Sequence, residues 1–114
     1  MFAFTKTQRL IKKADYDHVF AQATKIVSTE FILLFRKNNS EYARLGLALS
    51  KKMIAKAHDR NRIKRLLRES FRQTSLPAVD IVFLARNGVA KQTNLDINTT
   101  LSKTWEKLIV CYNK

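Results

Sequence analysis

The chain has 114 residues, with 22 lysines and arginines against 9 aspartates and glutamates, and therefore a formal net charge of +13. This length allows one domain that buries enough surface to fold without a disulfide. Because 46% of the residues are hydrophobic and the chain holds only 2 glycines and 1 proline, the composition excludes a disordered basic tail.

The cysteine content and the distribution of charge indicate the compartment of the protein and the class of molecule that it binds. Cys111 is the single cysteine, which excludes a disulfide scaffold and a cysteine-rich zinc module and favours a reducing cytoplasm. No signal peptide or membrane span is visible, and the charge is not concentrated on an amphipathic anchor. We therefore predict a cytoplasmic protein with no membrane contact and no obligate protein partner, whose excess charge is neutralised by nucleic acid.

The first part of the chain predicts a helix. No repeat, low-complexity stretch or linker interrupts the sequence, which predicts one domain over residues 1–114, with residues 1–8 as a flexible arm. Asp15 is a residue type that caps helices, and apolar side chains follow it at helical spacing. These side chains are Tyr16, Val19, Phe20 and Ala23.

The middle of the chain predicts a sheet. Alternating side chains predict strands at 31–35 and 45–49, joined by a polar turn at 38–40 and preceded by a short strand at 25–28. The segment 79–85 is apolar on both faces, which is typical of a strand in the interior of a sheet. A closing helix carries one apolar stripe, formed by Ile97, Leu101, Trp105, Leu108, Ile109 and Tyr112. We predict an α+β sandwich with one open sheet face.

The charge is concentrated between Lys51 and Arg72, where nine basic residues stand against two acidic ones. A helix from Arg60 to Arg72 separates an apolar arc from a cationic one. The apolar arc contains Ile63, Leu66, Leu67, Ser70 and Phe71, and the opposite arc contains Asn61, Arg62, Lys64, Arg65, Arg68 and Arg72. This amphipathic pattern predicts a helix that packs on the sheet and presents positive charge outward.

The like charges on this helix favour a bound polyanion over a merely solvated face. Arg60, Lys64, Arg68 and Arg72 follow one another at i,i+4 spacing, and each such pair costs a few tenths of a kcal/mol (~0.2–0.5). A solvated helix usually alternates the two signs. Asn61 lies among the arginines, and its amide can bind a phosphate, a 2′-hydroxyl or a base edge.

The sequence offers no catalytic constellation. His18 and His58 have no cysteine or second histidine at ligand spacing, so we predict neither a metal site nor a catalytic base. Asp15 and Asp17 are close, but a paired-carboxylate nuclease needs acids that converge from several elements. Cys111 lies beside the apolar stripe of the last helix and is predicted to be a buried small hydrophobe.

The basic segment resembles the signature of the protein component of bacterial ribonuclease P. The central match is Arg60-Asn61-Arg62-Ile63-Lys64-Arg65-Leu66, preceded by Lys51-Lys52 and Ala57 and followed by Arg68 and Phe71. The resemblance extends over about residues 8–112, through Arg9-Leu10, Asp15-Tyr16, Val19-Phe20, Phe31 to Phe35, Leu45-Gly46-Leu47 and Asp80 to Arg86.

The resemblance implies a fold and a function. The fold is a single-domain α-β-β-β-α-β-α sandwich like the second domain of ribosomal protein S5, with a left-handed βαβ crossover. The function is that of an accessory subunit of an endoribonuclease: the protein would assist a catalytic RNA, which requires Mg²⁺, in removing the 5′ leader from precursor tRNA. Catalytic groups and metal ions would belong to the RNA, and this chain would bind no cofactor alone.

The resemblance also assigns two sets of residues. The RNA subunit would be docked by Lys51, Lys52, Lys56, Arg60, Asn61, Arg62, Lys64, Arg65 and Arg68. The single-stranded leader would lie in a cleft beside the first helix, lined by Arg9, Lys12, Tyr16, Phe20, Phe31, Leu33 and Phe35. Exposed aromatic rings there would stack bases of any sequence.

The sequence departs from the family pattern at two places. Ala55-Lys56-Ala57-His58 replaces the common Gly-Asn-Ala-Val, and Leu34 stands where some relatives have an aromatic residue.

Two other classes of function are alternatives to this interpretation. A structural, ribosomal-type RNA-binding protein would have the same charge but no need of an open aromatic cleft. A DNA-binding regulator is less favoured, because no second helix joined by a short turn precedes Asp59.

Overall fold

The structure is a computed structural model, and it describes residues 13–113. Its elements, in chain order, are α1 (Lys13–Ala21), β1 (Thr24–Val27), β2 (Phe31–Lys37), β3 (Arg44–Ala48), α2 (Ala57–Arg72), β4 (Val79–Ala85), a short 3-10 helix (Val89–Lys91) and α3 (Asn94–Tyr112). This is the predicted α-β-β-β-α-β-α order. None of the helices within 13–113 is long and apolar enough to cross a membrane.

The four strands form one sheet in the order β1-β2-β4-β3. β2 pairs antiparallel with β1 and with β4, whereas β3 runs parallel to β4 and is joined to it through α2. β4 lies inside the sheet, as its apolar composition predicts. The turn after β2 does not join neighbouring strands, because β4 lies between β2 and β3, and the Asn38 amide bonds to the Asp80 carboxylate of β4 at 2.9 Å.

One face of the sheet carries the main hydrophobic core, which α2 and α3 cover. From α2, Ile63, Leu67 and Phe71 are buried in it. From α3, Trp105 packs edge-on against Phe83 of β4 at 5.4 Å between ring centroids. The Trp105 indole also donates a 2.8 Å hydrogen bond from Nε1 to Ser70 Oγ of α2. The two helices are thereby fixed to each other as well as to the sheet.

The other face of the sheet is covered only in part, by α1. Val19 of α1 and Val82 of β4 form a second, small apolar cluster with Leu34 and Tyr16 packed against it. α1 is described from Lys13, so Asp15 lies in its first turn and not at the cap position predicted for it. An acidic side chain in the first turn still interacts favourably with the helix dipole.

Candidate nucleic-acid interface

Tyr16 anchors α1 to the open face of the sheet. Its hydroxyl accepts a 3.2 Å hydrogen bond from the backbone N–H of Leu47 in β3. A side chain at position 46 would come within 2.8–2.9 Å of the Tyr16 ring, so glycine there permits the close approach. At the other end of the helix, Arg36 of β2 donates a 2.9 Å hydrogen bond to the carbonyl of His18. α1 therefore crosses the sheet from β3 to β2.

A row of aliphatic side chains lies beside α1 and crosses all four strands. The pairing register aligns Val27 with Ile32, Ile32 with Leu84, and Leu84 with Ala48. Val27 is 47% exposed, and the other three are partly exposed. We call Val27, Ile32, Leu84 and Ala48 the open row. The open row lies on the sheet face that α1 covers in part, and we call the surface between this row and α1 the cleft.

Phe20 stands on the wall of this cleft and is 47% exposed. His18 and Asp15 lie on the other side of α1, where they line a polar pocket with Arg44 and Asp80. Two residues along a helix correspond to side chains about 160° apart, so Phe20 faces away from that pocket. That direction is toward the open row, and the ring is the exposed aromatic group that a stacking surface requires.

The prediction that Phe31, Leu33 and Phe35 line this cleft is wrong. All three are buried in the main core, with exposed fractions of 1%, 0% and 4%. Successive side chains of a strand point to opposite faces, and these odd-numbered positions of β2 point toward α2 and α3. The cleft face of β2 carries Ile32 and Leu34 instead.

Two other predicted cleft residues, Arg9 and Lys12, lie outside the described residues. Of the predicted cleft set, the structure thus brings Tyr16 and Phe20 together on α1. Tyr16 is partly buried and holds the helix in place, whereas Phe20 is the exposed member. The sequence interpretation did not include Val27, Ile32, Ala48 and Leu84. Alternation within each strand groups these side chains on one face, but it does not indicate that this face is the one beside α1.

The basic segment forms one outward surface on α2 and the loop before it. Ile63, Leu67 and Phe71 of the predicted apolar arc are buried, and most of the cationic arc faces outward. The exposed predicted members are Lys51, Lys52, Lys56, Asn61, Arg65 and Arg68, and Lys64 is partly exposed. We call these seven residues the basic surface. None of them forms an ion pair in the part of the chain that the structure describes.

Arg60 and Arg62 were also predicted to dock RNA, but they differ from the basic surface because their guanidinium groups bind the protein itself. Arg60 Nη1 donates to the carbonyls of Ile54 and Ala55, at 2.9 and 3.0 Å, in the loop before α2. Arg62 donates to the end of the 3-10 helix, to Gln92 and to the first residue of α3. Both are partly buried. The motif therefore combines surface charges with groups that organise adjacent loops.

The basic surface and the open row meet at one edge of the sheet. β3 ends at Ala48, the last member of the open row, and the loop carrying Lys51 and Lys52 follows at once. Backbone N–H groups of Met53 and Ile54 close this loop by donating to the Ser50 carbonyl at 3.2 and 3.0 Å. A strand of nucleic acid leaving the open row at β3 would thus meet positive charge.

Asp80 belongs to a polar cluster on the other side of α1. Arg44 binds its two carboxylate oxygens at 2.8 and 2.7 Å, and Asp80 is 2% exposed. The hydrogen bond to Asp80 raises the pKa of Arg44 above its ordinary value. Within residues 13–113, no three His, Cys, Asp or Glu side chains come close enough to hold a metal ion. This cluster is an internal ion pair that fixes β3 against β4.

The chain is similar to known proteins over nearly its whole length. The sequence profile of the ribonuclease P family matches residues 4–109. The ribonuclease P protein component of Legionella pneumophila is 73% identical over 114 residues, covering 100% of both chains. That of Pseudoalteromonas atlantica is 46% identical over 108 residues, covering 93% of this chain and 90% of the relative.

Solved structures give the same result. The ribonuclease P protein of Staphylococcus aureus superposes with a TM-score of 0.83 at 29% identity, covering 91% of this chain and 99% of the other. That of Thermotoga maritima superposes with a TM-score of 0.78 at 28% identity, covering 87% and 96%. The chain therefore belongs to the ribonuclease P protein component family, whose members are RNA-binding subunits of the ribonucleoprotein endoribonuclease that processes tRNA.

Proposed function

We propose that this chain docks the catalytic RNA subunit of ribonuclease P through its basic surface and binds the 5′ leader of precursor tRNA in the cleft beside α1. The observation that carries the proposal is the connection of two different surfaces at the edge of β3. One is cationic and suits a folded RNA with closely spaced phosphates. The other is apolar with one exposed aromatic ring and suits single-stranded bases.

The proposed docking rests on unpaired charge. Arg65 and Arg68 are exposed on the outer side of α2, and an arginine fork can bind a phosphate through two hydrogen bonds. Asn61 lies beside them and is exposed, so its amide adds an oriented contact. Each phosphate neutralised releases counterions, and binding weakens as salt rises.

The proposed leader site discriminates substrate from product. A precursor carries the leader and a mature tRNA does not, so contacts with the leader strengthen binding of the precursor alone. The floor of aliphatic side chains and the Phe20 ring make no base-specific hydrogen bond, which suits leaders of different sequence. We also assign phosphate contacts with the leader to Arg9 and Lys12.

Hydrolysis itself is assigned to the RNA subunit and its Mg²⁺ ions, which would activate water and stabilise the leaving oxygen. Asp80 is a buried carboxylate of β4, and Arg44 and Asn38 already occupy its oxygens. To the protein we assign binding of the RNA, screening of its charge and positioning of the substrate.

Reconstitution with the RNA subunit tests the proposal. At low Mg²⁺, adding the protein should produce site-specific release of the leader from precursor tRNA, while the protein alone should release none. Cleavage by RNA-free protein would overturn the accessory role. An unchanged rate with and without protein would overturn the assistance that we propose. A purely structural RNA-binding protein, the second candidate, would bind the RNA without favouring precursor over mature tRNA.

A further inference from the structure

Arg62 binds three groups of a single turn with one guanidinium. Its Nη1 donates to Asn94 Oδ1 at 2.6 Å, and its Nη2 donates to the carbonyls of Ala90 and Gln92 at 3.0 and 3.1 Å. The acceptors belong to the end of the 3-10 helix and the start of α3. Arg62 itself lies in the second turn of α2, 28 to 32 residues away in sequence.

These contacts use the geometry of arginine and not only its charge. A planar fork with fixed donors can reach three acceptors at once, whereas a lysine ammonium is a compact point charge on a flexible stem. Two of the acceptors are backbone carbonyls, so the binding requires no particular side chain at residues 90 and 92. The fork is therefore directed at the protein, away from any ligand in front of α2.

Lys91 lies in the turn that Arg62 binds. Its two neighbours, Ala90 and Gln92, supply carbonyls to Arg62, and the Lys91 side chain is exposed. Its own N–H donates to the Gly88 carbonyl at 3.1 Å, and Gly88 adopts φ 91°, a conformation that favours glycine. No ion pair involves Lys91 in the described part of the chain. The turn thus holds an unpaired cation beside the first half of α2.

We propose that Arg62 is a positioning residue: it holds the turn 88–94 against α2 so that Lys91 joins the basic surface, while its own guanidinium binds protein and not RNA. This inference rests on the proposed docking of the RNA subunit by the basic surface. It enlarges that surface by one lysine from a different element. It also assigns different roles to arginines of the same helix, because the guanidinium groups of Arg65 and Arg68 are exposed to solvent.

A double-mutant cycle between Arg62 and Lys91 tests the inference, with affinity for the RNA subunit as the readout. The cycle compares wild type, R62K, K91Q and R62K/K91Q in the full-length protein. R62K retains the charge but cannot hold three acceptors. We expect K91Q to weaken binding about threefold to tenfold in the wild-type background. In the R62K background we expect K91Q to have almost no effect, because the turn is already displaced.

The salt dependence of binding separates positioning from direct contact. A direct phosphate contact by Arg62 predicts that R62K keeps the wild-type salt slope and that K91Q costs the same in both backgrounds. Either result would overturn the inference. Positioning predicts that R62K loses about one phosphate equivalent, the amount that K91Q also loses. R65K is the matched control, because it makes the same chemical change at an exposed position of the same helix.

A measurement on the free protein keeps the inference independent of the proposed function. Amide hydrogen exchange of residues 88–94 should be faster in R62K than in wild type and unchanged in R65K. N94A removes one acceptor from the other side of the contact and should act in the same direction, which covers the case in which R62K folds poorly. If wild-type protein fails to bind the RNA subunit, the docking proposal fails, and unchanged exchange in both variants would separately overturn the positioning role.

Discussion

Tyr16 lies so close to Gly46 that a methyl group added to the glycine would stand 2.8–2.9 Å from atoms of the tyrosine ring. The Tyr16 hydroxyl accepts a hydrogen bond from Leu47 N–H at the same place. This contact sets the height of α1 above β3. Because α1 is the wall of the cleft, the width of the proposed leader site depends on a glycine in the strand below it.

We expect G46A to lower the free energy of unfolding by about 1–3 kcal/mol, because the ring must move to admit the methyl group. α1 should shift with it, and binding of precursor tRNA should weaken more than binding of mature tRNA. Urea unfolding and the two affinities of the reconstituted enzyme measure these effects. Y16F is the control: it keeps the ring in place and loses one hydrogen bond, at a cost of about 1 kcal/mol. Wild-type stability and wild-type discrimination in G46A would contradict the packing we describe.

Each arginine of the basic surface should make a separately measurable contribution to binding of the RNA subunit. R65Q and R68Q should each reduce the salt slope of RNA-subunit binding by about one phosphate equivalent. K103Q and K107Q are matched controls, since these exposed lysines lie on α3 beside β1, at the far edge of the sheet from α2. Equal effects at both pairs would show that only total charge matters and that α2 is not a specific docking surface.

Substitutions of the exposed Phe20 and of the buried Phe31 should have different effects on tRNA binding. F20A should weaken binding of precursor tRNA by about tenfold while leaving mature tRNA unchanged, since a stacked base contributes about 1–3 kcal/mol. F31L changes a ring that is 1% exposed in the main core, so it should reduce the free energy of unfolding without changing discrimination. Equal loss for both tRNAs in F20A would place Phe20 outside the leader site.

The ion pair between Arg44 and Asp80 should be important for stability. R44M leaves the buried carboxylate without its charged partner, with only the Asn38 amide bound to it, and should cost about 3 kcal/mol by urea unfolding. R44M/D80N, which removes both charges, should recover part of this loss.

The contribution of the Arg44–Asp80 ion pair to the free energy of unfolding should have a defined pH dependence. The hydrogen bond to Asp80 raises the pKa of Arg44 in the folded protein. A raised pKa means that the contribution of Arg44 is fully present below the unfolded-state value and is lost only as pH rises through the folded-state value. The difference between wild type and R44M should therefore be the same at about pH 6 and about pH 9. A difference that falls strongly between these two pH values would contradict the assignment.

Local patterns account for most of the fold. Strict alternation predicted β2 and β3, apolar residues on both faces placed β4 inside the sheet, and helical spacing separated the buried Ile63, Leu67 and Phe71 from the charges of α2. These predictions succeed because each depends on the period of one element, 2 for a strand and about 3.6 for a helix. The same patterns predict the order helix, strands, helix, strand, helix, and the family resemblance adds the α-β-β-β-α-β-α order that the structure reproduces.

The cleft residues show where pattern alone was insufficient. Alternation divides β2 into two sets of side chains but does not say which set faces α1. The larger set, with Phe31 and Phe35, was predicted for the cleft, and the structure places it against α2 and α3. The smaller set forms the cleft floor, because the two long amphipathic helices bury more apolar surface than the single short α1.

The amino-acid sequence alone predicts the helices and strands, their apolar faces, the concentration of positive charge on one helix and the family. Which face of the sheet stays open, and which arginines of the motif are free, depends on how distant segments pack together. Residue type alone does not distinguish Arg60, Arg62 and Arg65. Arg62 is set apart because folding brings the carbonyls of Ala90 and Gln92 within reach of its fork, and such contacts between distant segments are absent from any local pattern.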